Sequence, residues 1–271
     1  GSQATTDTSS SIALVTPTVD EPLTENVVPD YPFNGLVYQY PLLSTEQVYL
    51  GTDYRMLSLQ LNQRVSYEYF ADAVFVGDSL ADGFRVYLKD MLPPTARYCT
   101  AKSMSPLSFL TSTWDLDKDG VATAPLDDIG RLPARKVYIE LGINSLANNQ
   151  SDDVILKYYG ELIDQVRVRQ PTALVYVQSV TPTTKKKAEE MPDKYARERI
   201  VGLNNQLAAL AVQKGVVFVD LHEVLEDAEG YLNTELCWPK PDGFHMAPKG
   251  YEVWLDYLTT HTIPANDSPY I

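Results

Sequence analysis

A serine in the segment Gly77-Asp78-Ser79-Leu80 is the first residue whose surroundings suggest chemistry. An apolar run from Ala73 to Val76 precedes this segment and an amphipathic stretch follows it, which indicates a buried strand, a tight turn and the start of a helix. A serine at such a junction is exposed at the C-terminal edge of a sheet, where open α/β folds bind ligands, so it suits a nucleophile. Taken alone, these residues favour a helix N-cap, and the rest of the chain must decide.

A nucleophilic serine needs a base, and the chain contains 3 histidines. His245 follows Asp242 by three positions in the segment Pro241–His245, just before the last predicted helix. An aspartate at this spacing on a turn can bond the far ring nitrogen, which leaves the near nitrogen to take a proton from serine. His222 follows the last predicted strand without a suitably spaced carboxylate and is an outside candidate. His261 is expected to be solvated in a polar tail.

Five apolar segments alternate with helical ones, and this alternation predicts a parallel sheet covered on both faces. The predicted strands cover residues 73–76, 96–100, 136–141, 173–180 and 216–221, and the predicted helices include 80–91, 106–110, 152–168, 200–211 and a last one from 248. Right-handed crossovers then give an α/β fold, a three-layer α/β/α sandwich of flavodoxin-like type with five mainly parallel strands. All strand C-termini should meet at one edge, together with Ser79, the segment after Thr100, Asn144 and the loop after Leu221.

Three ordered blocks resemble the SGNH, or GDSL, hydrolases: Gly77-Asp78-Ser79-Leu80, Gly142-Ile143-Asn144 and Asp242-Gly243-Phe244-His245. The resemblance spans residues 74–260 and implies an esterase or acyl-transfer site without metal or cofactor. It makes Ser79 the nucleophile, His245 the general base and then acid, and Asp242 its orienting partner. The oxyanion hole would comprise the Ser79 main-chain N–H, the Asn144 side-chain amide and a main-chain N–H from block two, each such donor accelerating acyl transfer by about 10²–10³-fold.

Two departures from the family pattern concern the oxyanion hole. Block two normally supplies a glycine, yet none occurs between Gly83 and Gly120, and Thr100–Met104 occupies the expected place. Ser103 can donate its main-chain N–H there, although glycine is usual because the backbone must adopt a shape that other residues resist. Block three normally places an aspartate after the asparagine, where this chain has Ser145. The absent Gly-x-Ser-x-Gly elbow argues against the α/β-hydrolase fold.

The composition bounds the class of protein. The chain has 271 residues, 44% of them hydrophobic and 21% charged, which suits one globular α/β domain with an appendage. Its net charge of −14 argues against nucleic acid and anionic membranes as partners, and no apolar run approaches the ~20 residues of a membrane span. The expected partner is an acylated small molecule or glycan, with the oligomeric state open. Cys99 and Cys237 allow a single bridge, although free thiols are the commoner state.

The first residues have the composition of a linker. Residues 1–32 are rich in Thr, Ser, Pro and acidic residues and are interpreted as an extended tether before an SGNH-like domain at 33–271. Within that domain, 33–70 form a lead-in in which Leu57, Leu59 and Leu61 alternate as in a strand. The sequence opens on Gly1-Ser2 without an initiator methionine, so a signal peptide or anchor is expected upstream. This favours an extracellular or surface-tethered protein, with a cytosolic protein that has a frayed terminus as the alternative.

Two further features have ordinary explanations beside functional ones. Asp115-x-Asp117-x-Asp119-Gly120 matches the first half of a calcium loop, but Leu126 stands where the bidentate glutamate belongs, so a solvated acidic loop is favoured. Trp114 and Trp238 could stack on a sugar, although aromatic residues in such loops more often serve local packing.

Three functional hypotheses follow. The first is a serine esterase that removes short acyl groups from a carbohydrate or a similar polar ester. The second is an O-acetyltransferase acting on cell-wall glycan, which would share the same acyl-enzyme. The third is a non-catalytic glycan-binding domain on the same scaffold, motivated by the missing block-two glycine.

Overall fold

Five strands form one fully parallel sheet in the computed structural model, which describes residues 54–115 and 119–264. The strands are β1 (Ala73–Gly77), β2 (Arg97–Thr100), β3 (Lys136–Glu140), β4 (Leu174–Gln178) and β5 (Val217–Val219). Their order across the sheet is β2-β1-β3-β4-β5. This is the flavodoxin-like order, and the predicted five-stranded sheet is confirmed.

Helices connect the strands, and the two longest each contain 18 residues. Ser151 caps the first of these through its hydroxyl, which accepts a hydrogen bond from the Val154 N–H, and Gly215 in a left-handed conformation ends the second. The helices are α1 (Asp82–Tyr87), α2 (Pro106–Thr111), α3 (Pro125–Ile129), α4 (Ile143–Ala147), α5 (Asp152–Arg169), α6 (Lys185–Glu190), α7 (Pro192–Tyr195), α8 (Arg197–Lys214), α9 (His222–Leu225) and α10 (Pro248–Thr260).

Apolar side chains cover both faces of the sheet. Val76 and Ile139 face a core shared with α5 and α8, whereas Phe75 and Tyr138 face a second core shared with α1 and α10. Successive strand residues point to opposite faces, so a sheet buried on both sides needs the near-continuous apolar strands of this chain. The predicted three-layer α/β/α sandwich is therefore confirmed.

The segment after α10 lies beneath the sheet instead of extending into solvent. The Tyr176 hydroxyl accepts hydrogen bonds from the Thr262 hydroxyl at 2.8 Å and the Ile263 N–H at 3.0 Å, and it lies 2.7 Å from the Tyr69 hydroxyl. This buried network holds the returning chain, and His261 is only 6% exposed. The prediction of a solvated His261 is wrong because tertiary hydrogen bonds turn the polar tail inward.

The lead-in also differs from the prediction. Leu57 and Leu59 are buried and Leu61 is 76% exposed, yet none of them lies in a strand. The Leu59 N–H donates to the Phe218 carbonyl at 2.8 Å, so the lead-in packs beside β5, although residues 57–61 are not part of a strand. Short 3₁₀-helices, in contrast, occur at Tyr54–Met56 and Tyr67–Asp72. The tether at 1–32 and the start of the lead-in lie outside the described residues.

The first helix is shorter than predicted. It begins at Asp82 instead of Leu80, because residues 78–81 are taken up by the turn after β1, and it ends at Tyr87 instead of Met91. None of the described helices is long and apolar enough to cross a membrane.

Candidate active site

Ser79 lies on a tight turn between β1 and α1. A Cβ on Gly77 would stand 2.4 Å from the Glu140 carbonyl oxygen, so only glycine lets β1 end this close to β3. The Asp78 carboxylate accepts a hydrogen bond from the Leu80 N–H at 2.8 Å and stabilises the turn. Because Ala81, and not Ser79, is the N-cap of α1, the Ser79 hydroxyl is left for another role.

The Ser79 hydroxyl points at His245. Its Oγ lies 2.9 Å from His245 Nε2, and His245 Nδ1 lies 2.6 Å from an Asp242 carboxylate oxygen. The side chains of His245 and Asp242 are 43% and 53% exposed, so this relay lies at an open surface of the sheet edge. The structure thus brings Ser79 together with Asp242 and His245, although Ser79 and His245 are 166 positions apart in the sequence.

Asp242 is held by its own loop. One carboxylate oxygen accepts the N–H groups of Phe244 and His245, both at 2.8 Å. Partial burial opposes ionisation, but these two donors and the imidazole outweigh it and hold the pKa of Asp242 below its ordinary value. The ionised carboxylate favours a proton on Nδ1 of His245, which leaves Nε2 free to accept from the Ser79 hydroxyl.

Asn144 reaches the same edge from the end of β3. It is the second residue of α4 and follows Gly142 closely in the chain. Gly142 has φ of 138°, and a Cβ placed on it would stand 2.5 Å from Val180 Cγ2, so no side chain fits there. The Asn144 amide nitrogen donates to the second Asp78 oxygen at 3.0 Å and to the Met104 carbonyl at 2.9 Å. Asp78 therefore orients Asn144, and both amide hydrogens of Asn144 have partners.

The block-two segment adopts the backbone that its missing glycine would have provided. Ser103 has φ of 64°, in the left-handed region that favours glycine, and its neighbour Met104 binds Asn144 through the carbonyl. Within the described part of the chain, neither the Ser103 nor the Ser79 main-chain N–H donates a hydrogen bond. Both groups are therefore open to an acceptor on a ligand.

Two buried carboxyl groups lie beneath the turn. Asp78 and Glu140 are both 0% exposed, and neither oxygen of Glu140 has a hydrogen-bond partner among the described residues. Burial raises the pKa of Asp78 to about 7, against the opposing effects of the Leu80 N–H and His245. Burial, and secondarily the neighbouring Asp78 charge, raise the pKa of Glu140 well above its ordinary range.

The other histidines lie away from this relay. His222 is 2% exposed, and its Nε2 lies 2.7 Å from the Val180 carbonyl and 3.2 Å from the Asn204 amide. These contacts place it in the core between the end of β4 and α8. Sequence reasoning missed the roles of Asp78 and Glu140. An acidic residue at the end of the apolar run Lys136–Leu141 is the signal that could have indicated Glu140.

Several secondary predictions have partial answers. Cys99 and Cys237 are free thiols, so the bridge is absent from the structure. Asp115 accepts hydrogen bonds from the N–H groups of Asp119 and Gly120, but the intervening residues 116–118 lie outside the described part. Among the residues that are described, no group of three or more His, Cys, Asp or Glu is arranged to hold a metal ion.

Replacing Ser103 by glycine should stabilise the protein. A serine in the left-handed region costs about 1 kcal/mol that glycine avoids, so Ser103→Gly should raise the free energy of unfolding by up to about that amount, measured by urea denaturation. Asn149→Gly, at the other non-glycine position with positive φ in the described chain, is the matched control. It should gain less, because asparagine tolerates this conformation better than serine. If Ser103→Gly is no more stable than Ser103→Ala, the left-handed backbone at residue 103 does not strain the wild-type protein.

Replacing Glu140 by glutamine should stabilise the protein increasingly as the pH rises. The folded-state pKa of Glu140 lies above its unfolded value, so the wild type loses stability relative to the variant from about pH 4 upwards, until the folded-state pKa is passed. Within that window the free-energy difference should grow by about 1.4 kcal/mol per pH unit. Urea denaturation at pH 4, 5, 6 and 7 measures it, with the exposed Glu189→Gln as control. A difference that stays constant with pH would mean that Glu140 ionises normally.

Comparisons with known proteins identify the fold and the family of this chain. Three solved structures share the fold, and the first is a Streptococcus pneumonia protein provisionally described as a platelet activating factor, with 20% identity, a TM-score of 0.52 and coverage of 79% of this chain and 90% of that one. A GDSL-like lipase from Bacteroides thetaiotaomicron has 16% identity and a TM-score of 0.51, and the match covers 76% of this chain and 92% of that one. A provisionally lipolytic G-D-S-L protein from Desulfitobacterium hafniense has 13% identity and a TM-score of 0.50, and the match covers 70% of this chain and 98% of that one. No curated protein matches the sequence. A profile of the GDSL-like lipase/acylhydrolase family matches residues 75–253, well over half of the chain. The chain therefore belongs to the GDSL-like lipase/acylhydrolase family of SGNH-type serine hydrolases.

Proposed function

We propose that this protein is a serine esterase that removes short acyl groups from a carbohydrate or another polar substrate through an acyl-enzyme on Ser79. The observation that carries the proposal is the continuous hydrogen-bonded path from Ser79 Oγ to His245 Nε2 at 2.9 Å and from His245 Nδ1 to Asp242 at 2.6 Å. A serine hydroxyl is a weak nucleophile until a neighbouring base accepts its proton. This path supplies the base and the group that orients it.

The first half of the reaction forms the acyl-enzyme. Ser79 Oγ attacks the ester carbonyl carbon while His245 Nε2 takes the hydroxyl proton, and the carbonyl oxygen becomes an oxyanion. Asp242 remains ionised and stabilises the imidazolium. The tetrahedral intermediate then collapses, the bond to the alcohol breaks, and His245 returns the proton to the departing alcohol. In the second half, water repeats these steps on the acyl-enzyme and releases the acid.

The oxyanion would be stabilised by the main-chain N–H groups of Ser79 and Ser103 and by the Asn144 amide. The two main-chain donors are unoccupied by other described residues. The Asn144 amide hydrogen that now binds the Met104 carbonyl at 2.9 Å would be shared with, or transferred to, the oxyanion. The other amide hydrogen of Asn144 remains hydrogen-bonded to the Asp78 carboxylate, which keeps the amide plane oriented during the reaction.

A polar, short-acyl substrate fits the open character of the site. His245 and Asp242 are about half exposed, which gives access to a bulky or polymeric alcohol. Trp238 is 49% exposed and lies four positions before Asp242, where its ring could stack on a sugar. We also infer an extracellular or surface-tethered location, because the Thr/Pro/acidic composition of residues 1–32 suits a tether. Recovery of the native protein only from the cytosol would contradict that location.

A fluorophosphonate probe tests the nucleophile. The wild-type protein should be labelled covalently at Ser79, because the probe reacts with a serine that a neighbouring base activates. Ser79→Ala should abolish labelling, whereas Ser112→Ala, at a partly exposed serine outside the relay, should leave it unchanged. Intact-mass spectrometry measures the adduct. A folded wild-type protein that takes up no label would favour the non-catalytic glycan-binding alternative.

Acetate release from acetylated polysaccharides tests the substrate class. The value of kcat/KM should be higher for acetyl esters than for long-chain esters, and Trp238→Ala should raise KM on the polysaccharide several-fold through lost stacking. On a small acetyl ester the same variant should retain the wild-type KM, which serves as the control. Acetyl groups that appear on added glycan instead of in water would indicate an O-acetyltransferase. A preference for long-chain esters would contradict the proposed class.

A further inference from the structure

The loop that carries Asp242 and His245 is covered by a segment from a distant part of the chain. Residues 184–196, which contain α6 and α7 and are called the 184–196 arch below, follow β4. The Thr184 N–H donates to the Gly243 carbonyl at 3.0 Å, which ties the start of the arch to the loop. The arch thus contacts the loop midway between the carboxylate and the imidazole.

The side chain of Lys187 lies across Gly243. A Cβ placed on Gly243 would stand 2.6–2.8 Å from the Cβ, Cγ and Cε atoms of Lys187, so the aliphatic stem of the lysine rests on the glycine backbone. Gly243 has φ of 101°, a conformation that side chains rarely adopt. This turn lets the Asp242 carboxylate accept the next two N–H groups of the chain. The lysine stem therefore packs on the turn that shapes the acid–base pair.

Phe244, the residue after Gly243 in the loop, lies between two side chains of the 184–196 arch. The Lys187 ammonium lies 5.5 Å from the Phe244 ring centroid, and the Tyr195 ring meets Phe244 edge-on at 5.0 Å. At its far end the arch reaches α4, where Lys194 donates to the Ala147 carbonyl at 2.7 Å. The arch consequently joins the loop of His245 to the short helix that carries Asn144.

The stem of Lys187, and not its charge, makes the closest contacts. Its ammonium lies 3.7 Å from Glu190, a loose pairing, and the lysine side chain is only 23% exposed. Asp242 already accepts three hydrogen bonds from its own loop and from His245, so the structure gives the lysine charge no direct part in the pair. Long lysine stems commonly cover backbone and apolar groups in this way.

We propose that Lys187 is a positioning residue whose aliphatic stem holds the Gly243–Phe244 turn, and through it His245 Nε2, within bonding distance of the Ser79 hydroxyl. The inference rests on the proposed esterase function. Displacement of a catalytic base by about 1 Å costs up to about a hundredfold in rate. Loss of the stem should therefore lower kcat, whereas loss of the charge alone should not.

Two substitutions separate stem from charge. Lys187→Met keeps a long aliphatic stem and should retain kcat on a small acetyl ester within about twofold. Lys187→Ala removes the stem and should lower kcat by about ten- to a hundredfold with little change in KM, because a small ester does not extend to the arch. Lys186→Ala, at an 84% exposed lysine on the same helix, is the matched control and should behave as the wild type.

The outcomes are distinguishable from failure of the proposed function. If the wild type hydrolyses the ester and Lys187→Ala is equally active, the positioning role is wrong. If Lys187→Met loses as much as Lys187→Ala, the charge and not the stem matters, which also overturns the proposal. A wild type without esterase activity overturns the proposed function instead. Should Lys187→Ala fail to fold, Lys187→Gln, which keeps part of the stem, should show an intermediate kcat, and wild-type kcat there would contradict the proposal.

Discussion

The close approach of β1 to β3 at Gly77 is the steric constraint on which the site depends. No side chain fits there, because even a Cβ would stand 2.4 Å from the Glu140 carbonyl oxygen. The two central strands therefore end side by side, and the turn after β1 lies next to the first residues of α4. This proximity puts the Asp78 carboxylate within 3.0 Å of the Asn144 amide, although 66 positions separate them in the chain.

The burial of two carboxyl groups beneath this turn lowers the stability of the protein, and one of them orients Asn144. Asp78 is fully buried but receives the Leu80 N–H and the Asn144 amide, so part of its desolvation is offset. Glu140 is equally buried, and its oxygens have no hydrogen-bond partner in the described chain, which is costly even for a neutral carboxyl. Such uncompensated groups concentrate near functional sites, where geometry is favoured over maximal stability. The Glu140 carboxyl, unpartnered among the described residues, and the hydrogen bond by which Asp78 orients Asn144 therefore lie next to each other beneath the turn.

The loop that carries Asp242 and His245 is assembled differently from the turn that carries Ser79. Asp242 makes all three of its hydrogen bonds within the next three residues, so the pair forms wherever this loop can adopt its turn. What the loop cannot determine by itself is its distance from Ser79. α10 follows the loop in the chain, and the 184–196 arch packs on Gly243. The proposed role of Lys187 makes the distance depend on that arch.

The sequence by itself determined the fold class, the first strand, predicted at 73–76, and the Asp242–His245 pair, because these features follow from local periodicity and from hydrogen bonds between near neighbours. It also indicated that Asn144 lies at the strand edge, since parallel strands end on one side of a sheet. Only the tertiary structure decided that Ser103 adopts a left-handed backbone, that His261 is buried and that residues 57–61 form no strand. These outcomes depend on contacts between segments far apart in the chain, and no local pattern encodes such contacts.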